Sequence, residues 1–360
     1  MAIIDAPSIP NDVMSVLCQG VVVPAHLLAL NANRQLDVRR QRALSRYYLD
    51  AGSGGMAVGV HSTQFAIRDC GLYEPVLKLA MQTAQDWTPL KGKKPLVMIA
   101  GLVGPTQQAI REAHIAKGLG YHAGLLSLAA MKSSSEVELL EHCQRVAKEI
   151  PLIGFYLQPA VGGRVLSKSF WESFARIEQV IAIKMAPFNR YKTLDVIHGV
   201  VAAHAENRIS LYTGNDDHIV LDLISPFWVQ RGQERIEIRI KGGLLGHWSV
   251  WTERAVDLLT QCHQAINNTH IHPDLLALDS QVTDCNSAFF DAAHDFSGCI
   301  AGCHEVLRRQ GLLEGIWCLD PAEGLSAGQS EEITRVQQAY PHLCDDAFVK
   351  LHLQRWLDGW

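Results

Sequence analysis

Charge is scarce in this chain. Asp, Glu, Lys and Arg make up 19% of 360 residues, and the formal net charge is only -5. No basic stripe stands out, so the electrostatic footprint of a nucleic-acid binder is missing, as is the polybasic segment that marks an anionic membrane surface. No apolar run reaches the roughly 18 residues needed to span a bilayer. The opening stretch MAIIDAPSIPNDVMSVL carries Asp5 and Asp12 with no early basic cluster and does not read as a signal peptide. Among the nine cysteines there is no CxxC pair; the closest two, Cys299 and Cys303, have helical spacing. An odd count without an export signal fits reduced thiols, so a cytoplasmic protein is expected. GxSxG, Walker-type loops, HExxH and an HxH after the first strand are all absent, which removes serine-hydrolase, nucleotidase and metal-hydrolase readings. His270 and His272 do form an HxH, but in a turn far along the chain, so no metal is expected there.

What remains is an alternation of short apolar runs and amphipathic stretches in a chain that is 48% hydrophobic. Strands are predicted at 20–25, 55–60, 95–102, 122–130, 151–159, 180–186, 209–214 and 242–248, each followed by a helix. Ser133 and Glu136 have capping-box spacing before the helix that ends near Ile150. AGSGG at 51–55 stands before a strand rather than between strand and helix, so it reads as a helix C-cap and not as a phosphate loop. Eight strand–helix units predict an α/β chain folded as a (β/α)8 TIM barrel. The barrel with a short N-terminal extension is expected over 1–265. Over 266–360 the alternation stops, and helical patterns at 286–309, 329–339 and 345–357 predict a C-terminal helical extension packed on the barrel.

One residue breaks the apolar pattern. In VIAIKMA, Lys184 lies on the same strand face as Ala182 and Ala186, opposite Ile181, Ile183 and Met185. If the large residues meet the helices, the lysine points into the barrel, where burial disfavours its charge and yields the neutral amine that attacks a carbonyl. Otherwise it snorkels to water at the strand end or pairs with a distant carboxylate. His61 is either a proton shuttle or a hydrogen-bonded structural histidine. Asn215 and Asp216 either bind polar substrate groups or, for Asp216, cap the next helix. His247 either lines the pocket or packs beside Trp248, and Arg190 either starts a helix or binds a carboxylate.

Residues from about 18 to 265 resemble the dihydrodipicolinate synthase and N-acetylneuraminate lyase superfamily of class I aldolases. The resemblance lies in GVVVPAHLLALNANRQLDVRRQRALSRYYLDAGSGGMAVGV at the start, FYLQP at 155–159, AIKMAPFN at 182–189 and YTGNDD at 212–217. It implies that Lys184 is the Schiff-base nucleophile and Tyr156 the proton-relaying tyrosine, with His61 assisting. It also implies substrate contacts at Gly59, Ser62, Thr63, Gly214, Asn215, Leu245 and His247. No cofactor is implied. The expected partner is a small-molecule 2-oxo acid or sugar acid, and a homo-oligomer, dimer or tetramer, is expected.

The departures from the family pattern are specific. In GVHSTQF, Ser62 and Thr63 stand where a glycine and a glutamate are usual, and His61 where a threonine is. Ala130 and Met131 replace a tyrosine pair, Val161 takes the place of an arginine with Arg164 close by, and Met185 follows the lysine where an acidic residue is common. These changes argue against the lysine-biosynthetic synthase. They leave a lyase, aldolase or dehydratase acting on another substrate, or a catalytically silent barrel that binds a sugar acid or acts as a scaffold.

Overall fold

The computed structural model describes residues 9–358. Its strands are β1 (Val22–Pro24), β2 (Gly55–Val58), β3 (Val97–Leu102), β4 (Ala123–Leu126), β5 (Leu152–Leu157), β6 (Val180–Ala186), β7 (Ser210–Thr213), β8 (Phe227–Arg231), β9 (Glu234–Ile238) and β10 (Ile240–Leu245). Eight of them pair in parallel in the order β1-β10-β7-β6-β5-β4-β3-β2. A bridge between Ala25 and Ala57 brings the two ends together, and the His26 N–H donates to the Ala57 carbonyl at 2.8 Å. The expected (β/α)8 barrel is therefore present. The other two strands, β8 and β9, form an antiparallel hairpin, which the sequence reading passed over although ERIEI alternates at strand period.

The helices are α1 (Asn11–Gln19), α2 (Val38–Ala51), α3 (Tyr73–Asp86), α4 (Thr106–Gly118), α5 (Glu136–Ala147), α6 (Lys168–Ala175), α7 (Arg190–Ala202), α8 (Ile219–Ile224), α9 (Thr252–Ala265), α10 (Pro273–Phe289), α11 (Cys299–Arg309), α12 (Gln329–Ala339) and α13 (Asp346–Leu357). The capping box of α5 lies two residues later than expected. Ser135 Oγ accepts from the Glu138 N–H at 3.3 Å, while Glu138 Oε2 accepts from the Ser135 N–H at 2.7 Å. SSSEVE satisfies the spacing in both registers, and only the second places its serine at the helix boundary. None of the described helices is long and apolar enough to cross a membrane.

The buried apolar residues divide into two clusters, as alternation on a parallel barrel requires. Val23, Ala57, Ile99, Leu125, Ile153, Phe155 and Ala182 point inward, whereas Met56, Val58, Met98, Ile183 and Met185 meet the helices. Ile181 departs from the predicted face and joins the inner cluster. A register shift beside it, where Leu152 pairs with Val180 but Ile153 with Ala182, accounts for the change. Helix α1 plugs the floor with Val13 and Leu17. There the Tyr212 hydroxyl donates to the Leu17 carbonyl at 2.8 Å.

The C-terminal helices are tied to the barrel by buried carboxylates. Asp50 on α2 accepts from the Trp356 indole at 2.7 Å, the Trp87 indole at 3.0 Å and the Leu90 N–H at 2.9 Å, and it pairs with Arg355. Asp345 accepts from the Tyr47 hydroxyl at 2.7 Å and the Gln310 amide at 2.8 Å. Burial pushes the Asp345 carboxyl up to about 6. Between α10 and α11 the chain turns across the barrel mouth, with Asp291, Asp295 and Phe296 at φ of 57°, 52° and 67°. Three hydrogen bonds to Asp291 hold this left-handed turn, from Ser326 Oγ at 2.5 Å, His294 Nδ1 at 2.6 Å and the Gly298 N–H at 3.0 Å. Helix α10 was not foreseen from NTHIHPD. His272 is its N-cap, accepting from the Asp274 N–H at 3.3 Å, and no group of three metal-ligating side chains occurs among the described residues.

Candidate active site

Lys184 sits on β6 directly beside Phe155 of β5 and Tyr212 of β7 in the barrel register. It is 8% exposed, and its Nζ lies 4.3 Å from the centre of the Phe155 ring. No carboxylate among the described residues is within ion-pair distance of it. Burial lowers its proton affinity, an effect partly offset by the negative charge of Asp216. Asp216 is buried too. Burial raises its carboxyl, opposed by a 3.1 Å hydrogen bond from the His247 N–H and by Lys184. Low dielectric thus draws the two groups together in proton affinity, the lysine downward and the aspartate upward.

A pocket opens above Lys184, lined by residues of the barrel and of the segment that follows α10. His61, Ser62, Gln158, Gly214 and Asp216 contribute its polar wall. Burial and the nearby lysine bring His61 down to about 4, so it is neutral at neutral pH. Ser62 Oγ donates to the Ala25 carbonyl at 2.8 Å. Both residues belong to a single 3-10 turn, His61–Thr63, whose first N–H groups have no partner inside the turn.

Gly214 is required by the lysine. A Cβ there would lie 2.6 Å from Lys184 Cε and 2.9 Å from Ala186 Cβ. We expect Gly214→Ala to fold at a cost in stability, because the lysine stem can bend aside whereas Ala186 Cβ gives way only through the backbone. The same bend should slow imine formation about 100-fold, the usual result of displacing a reacting atom by 1 Å. Rapid-mix trapping with borohydride measures this directly, and a parent-like rate would show that the stem has room to spare.

Of the residues singled out from sequence, Lys184, His61, Ser62, Gly214 and Asp216 come together in the pocket. The other site residues expected from the resemblance do not line it. Tyr156 faces the helices, where its ring packs 5.0 Å from Trp171 and its hydroxyl donates to the Leu166 carbonyl at 3.3 Å. The inward position of β5 opposite Lys184 belongs to Phe155, so a relay through Tyr156 has no path to the amine. Gly59, at φ 74°, and Thr63 build the turn instead. Thr63 Oγ1 accepts from the Gly59 N–H at 3.0 Å and donates to the His26 carbonyl at 2.6 Å. Asn215 is spent on Thr193, Asp222 and the Phe188 N–H. Leu245 packs outward, and Gly246 reaches the pocket in its place. His247 lies in a 3-10 turn past the strand, stacked on Phe289 at 5.8 Å, and acts through its backbone amide on Asp216.

Asp216 does not cap α8, whose N-cap is His218, and lines the pocket instead. Its place three residues beyond β7, beside the lysine strand, was the available signal. Phe188, Phe290, Phe296, Cys299, Ile300 and Cys303 also line the pocket, and no local sequence pattern marks them. Arg190 pairs with Asp222, and Arg164 holds the Met131 and Ser134 carbonyls at 3.0 and 2.7 Å. No arginine lines the pocket.

Solved structures share this architecture. Dihydrodipicolinate synthase from Oceanobacillus iheyensis superposes with a TM-score of 0.74 at 13% identity, covering 92% of this chain and 100% of that one. The chloride-inhibited dihydrodipicolinate synthase from Acinetobacter baumannii, in complex with pyruvate, gives 0.70 at 18% identity, covering 92% and 99%. N-acetylneuraminate lyase from Fusobacterium nucleatum gives 0.69 at 15%, covering 89% and 99%. No curated protein matches the sequence significantly. The model of the dihydrodipicolinate synthetase family matches residues 19–226. That span holds β1 to β7, the lysine strand and the turn bearing Asp216, and the chain therefore belongs to the dihydrodipicolinate synthetase family.

Proposed function

We propose that this protein is a lyase that joins Lys184 to a 2-oxo acid as a Schiff base and then makes or breaks a bond at the adjacent carbon. The observation that carries this reading is the lysine itself: a buried amine at the pocket floor, unpaired, with its proton affinity lowered by burial. The neutral Nζ adds to the C2 carbonyl, and the carbinolamine loses water as its hydroxyl takes up a proton. The resulting iminium withdraws electrons from C3, so a C3–C4 bond or a C3–H bond can break with its electron pair left on C3. Water later adds to C2 and releases the amine. The turn at 61–63 offers its first amides to the carboxylate. Asp216, held by the His247 amide, is placed to give and take the protons, and His61 is the neutral alternative.

The test is incubation with pyruvate, reduction with borohydride and mapping of the mass increase. An adduct on the Lys184 peptide supports the reading, and no adduct with pyruvate or any of a broad 2-oxo acid panel sinks it. A silent binding barrel is the second reading, favoured by the outward turn of Tyr156. It predicts that the acid binds without forming an adduct.

Asp216→Asn gives a pH-dependent check. The aspartate charge raises the affinity of Lys184 for its proton, so removing it lowers that affinity further and leaves more neutral amine at a given pH. The midpoint of the trapping rate should move to lower pH in the variant. Turnover should fall by about 100- to 10,000-fold through loss of the proton carrier. An unmoved midpoint would separate Asp216 from the lysine.

A further inference from the structure

The pocket wall is of two kinds. Its hydrogen-bonding side chains besides Lys184 are few: His61, Ser62, Gln158 and Asp216. Much of the rest is hydrocarbon, including Leu27, Val60, Phe188, Phe290, Phe296 and Ile300. Three of these six come from the segment between α10 and α11 or from the start of α11, outside the span that the family model matches. Two are held in costly backbone conformations. Phe188 has φ 49° and Phe296 φ 67°, a region that bulky residues enter only when the surroundings impose it. Their rings meet edge to face at 5.8 Å, and the Asp291 hydrogen bonds lock the turn that carries Phe296.

This wall offers almost nothing to hydroxyl groups. The substrate tail of a sugar acid would bury several hydroxyls with no donor or acceptor opposite them. An aromatic or branched hydrocarbon tail would instead fill the space and find ring edges and faces to pack against. We infer that the substrate is a 2-oxo acid whose tail beyond C3 is apolar, and that the 290–300 segment of the extension selects it. The inference rests on the Schiff-base reading above and adds the class of substrate to it.

Competition trapping tests both, and separates them. Pyruvate, phenylpyruvate, 4-methyl-2-oxopentanoate and 2-keto-3-deoxygluconate are mixed at equal concentration with the full-length protein and borohydride. Each captured acid loses its C2 oxygen as water and gains a hydride at C2, leaving a secondary amine of distinct mass on Lys184. The two apolar acids are expected to exceed the hydroxylated one by about tenfold or more, the ordinary discrimination of a pocket that fits one tail and not another. Phe296→Ser should reduce that ratio, and Phe296→Leu should largely keep it. Phe188→Ser gives the same reading should the first variant fail to fold. If pyruvate is captured but the hydroxylated acid competes equally, the tail inference falls alone. If the ratio is unchanged in both serine variants, the tail does not reach this wall and the inference also falls. If nothing is captured, the Schiff-base reading fails and takes the inference with it.

Discussion

Lys184→Met is expected to form no adduct with any 2-oxo acid and yet to be more stable than the parent protein. The first half follows from chemistry, since a thioether cannot condense with a ketone. The second follows from burial. A charged lysine inside the barrel gives up most of its hydration, and Asp216 returns only part of that loss. The folded-state proton affinity is below that of the unfolded chain, so between the two values the unfolded state holds more protons and stability rises with pH. The destabilisation is complete below the folded-state value and vanishes above the ordinary lysine range. Methionine has a similar reach and no charge, so it should recover on the order of 1–3 kcal/mol near neutral pH, with the gain disappearing in alkali. Urea titrations at a series of pH values would measure it. In mildly acid solution Asp216, left without its cation, can take up a proton and adds little penalty. A variant less stable at every pH would mean that Lys184 supports the fold and was not placed against its interests.

Asp50→Ala should produce the largest loss of stability. The Asp50 carboxylate is almost fully buried and is shared by two indoles, one backbone amide and Arg355. Alanine strands all four donors at once and leaves a guanidinium without its counter-charge. Breaking one side of such a buried cluster costs about 3–5 kcal/mol. Asp50→Asn keeps an acceptor and should lose less than half as much. Tryptophan fluorescence is the natural probe, because Trp87 and Trp356 both contact the carboxylate. Indistinguishable denaturation midpoints for Asp50→Ala and the parent would refute the clasp. Because α13 belongs to the same extension as the mouth segment, the variant should also blur the tail preference.

The barrel was legible because its strands are buried on both faces and announce themselves as apolar runs between helical stretches. Lys184 was legible for the same reason, as the one cation on the small-residue face of such a run. Tyr156 was not. FYLQP sets two aromatic residues side by side, so alternation alone leaves open which of them faces in. The pairing of Phe155 with Lys184, a long-range fact, decides it. His247 was misplaced because GGLLGHW was read as one strand, whereas β10 ends at Leu245. The mouth was invisible for a different reason. Phe290, Phe296 and Cys299 lie more than 100 residues beyond the lysine, and only the docking of α10 to α13 on the barrel brings them there.

That docking also orders events in time. The bond from Trp356 to Asp50 joins residues 306 apart, and the pairing of β1 with β10 joins the chain's first strand to its eighth barrel strand. Such closures are entropically late, since they need nearly the whole chain in place. During synthesis, a ribosome that has released β6 is still more than 100 residues from making the segment that covers Lys184. A barrel finished at β10 therefore stands with its mouth open until the 290–300 segment docks over it. Pulsed borohydride during translation should label truncated chains ending near Ala265 less selectively than the completed protein.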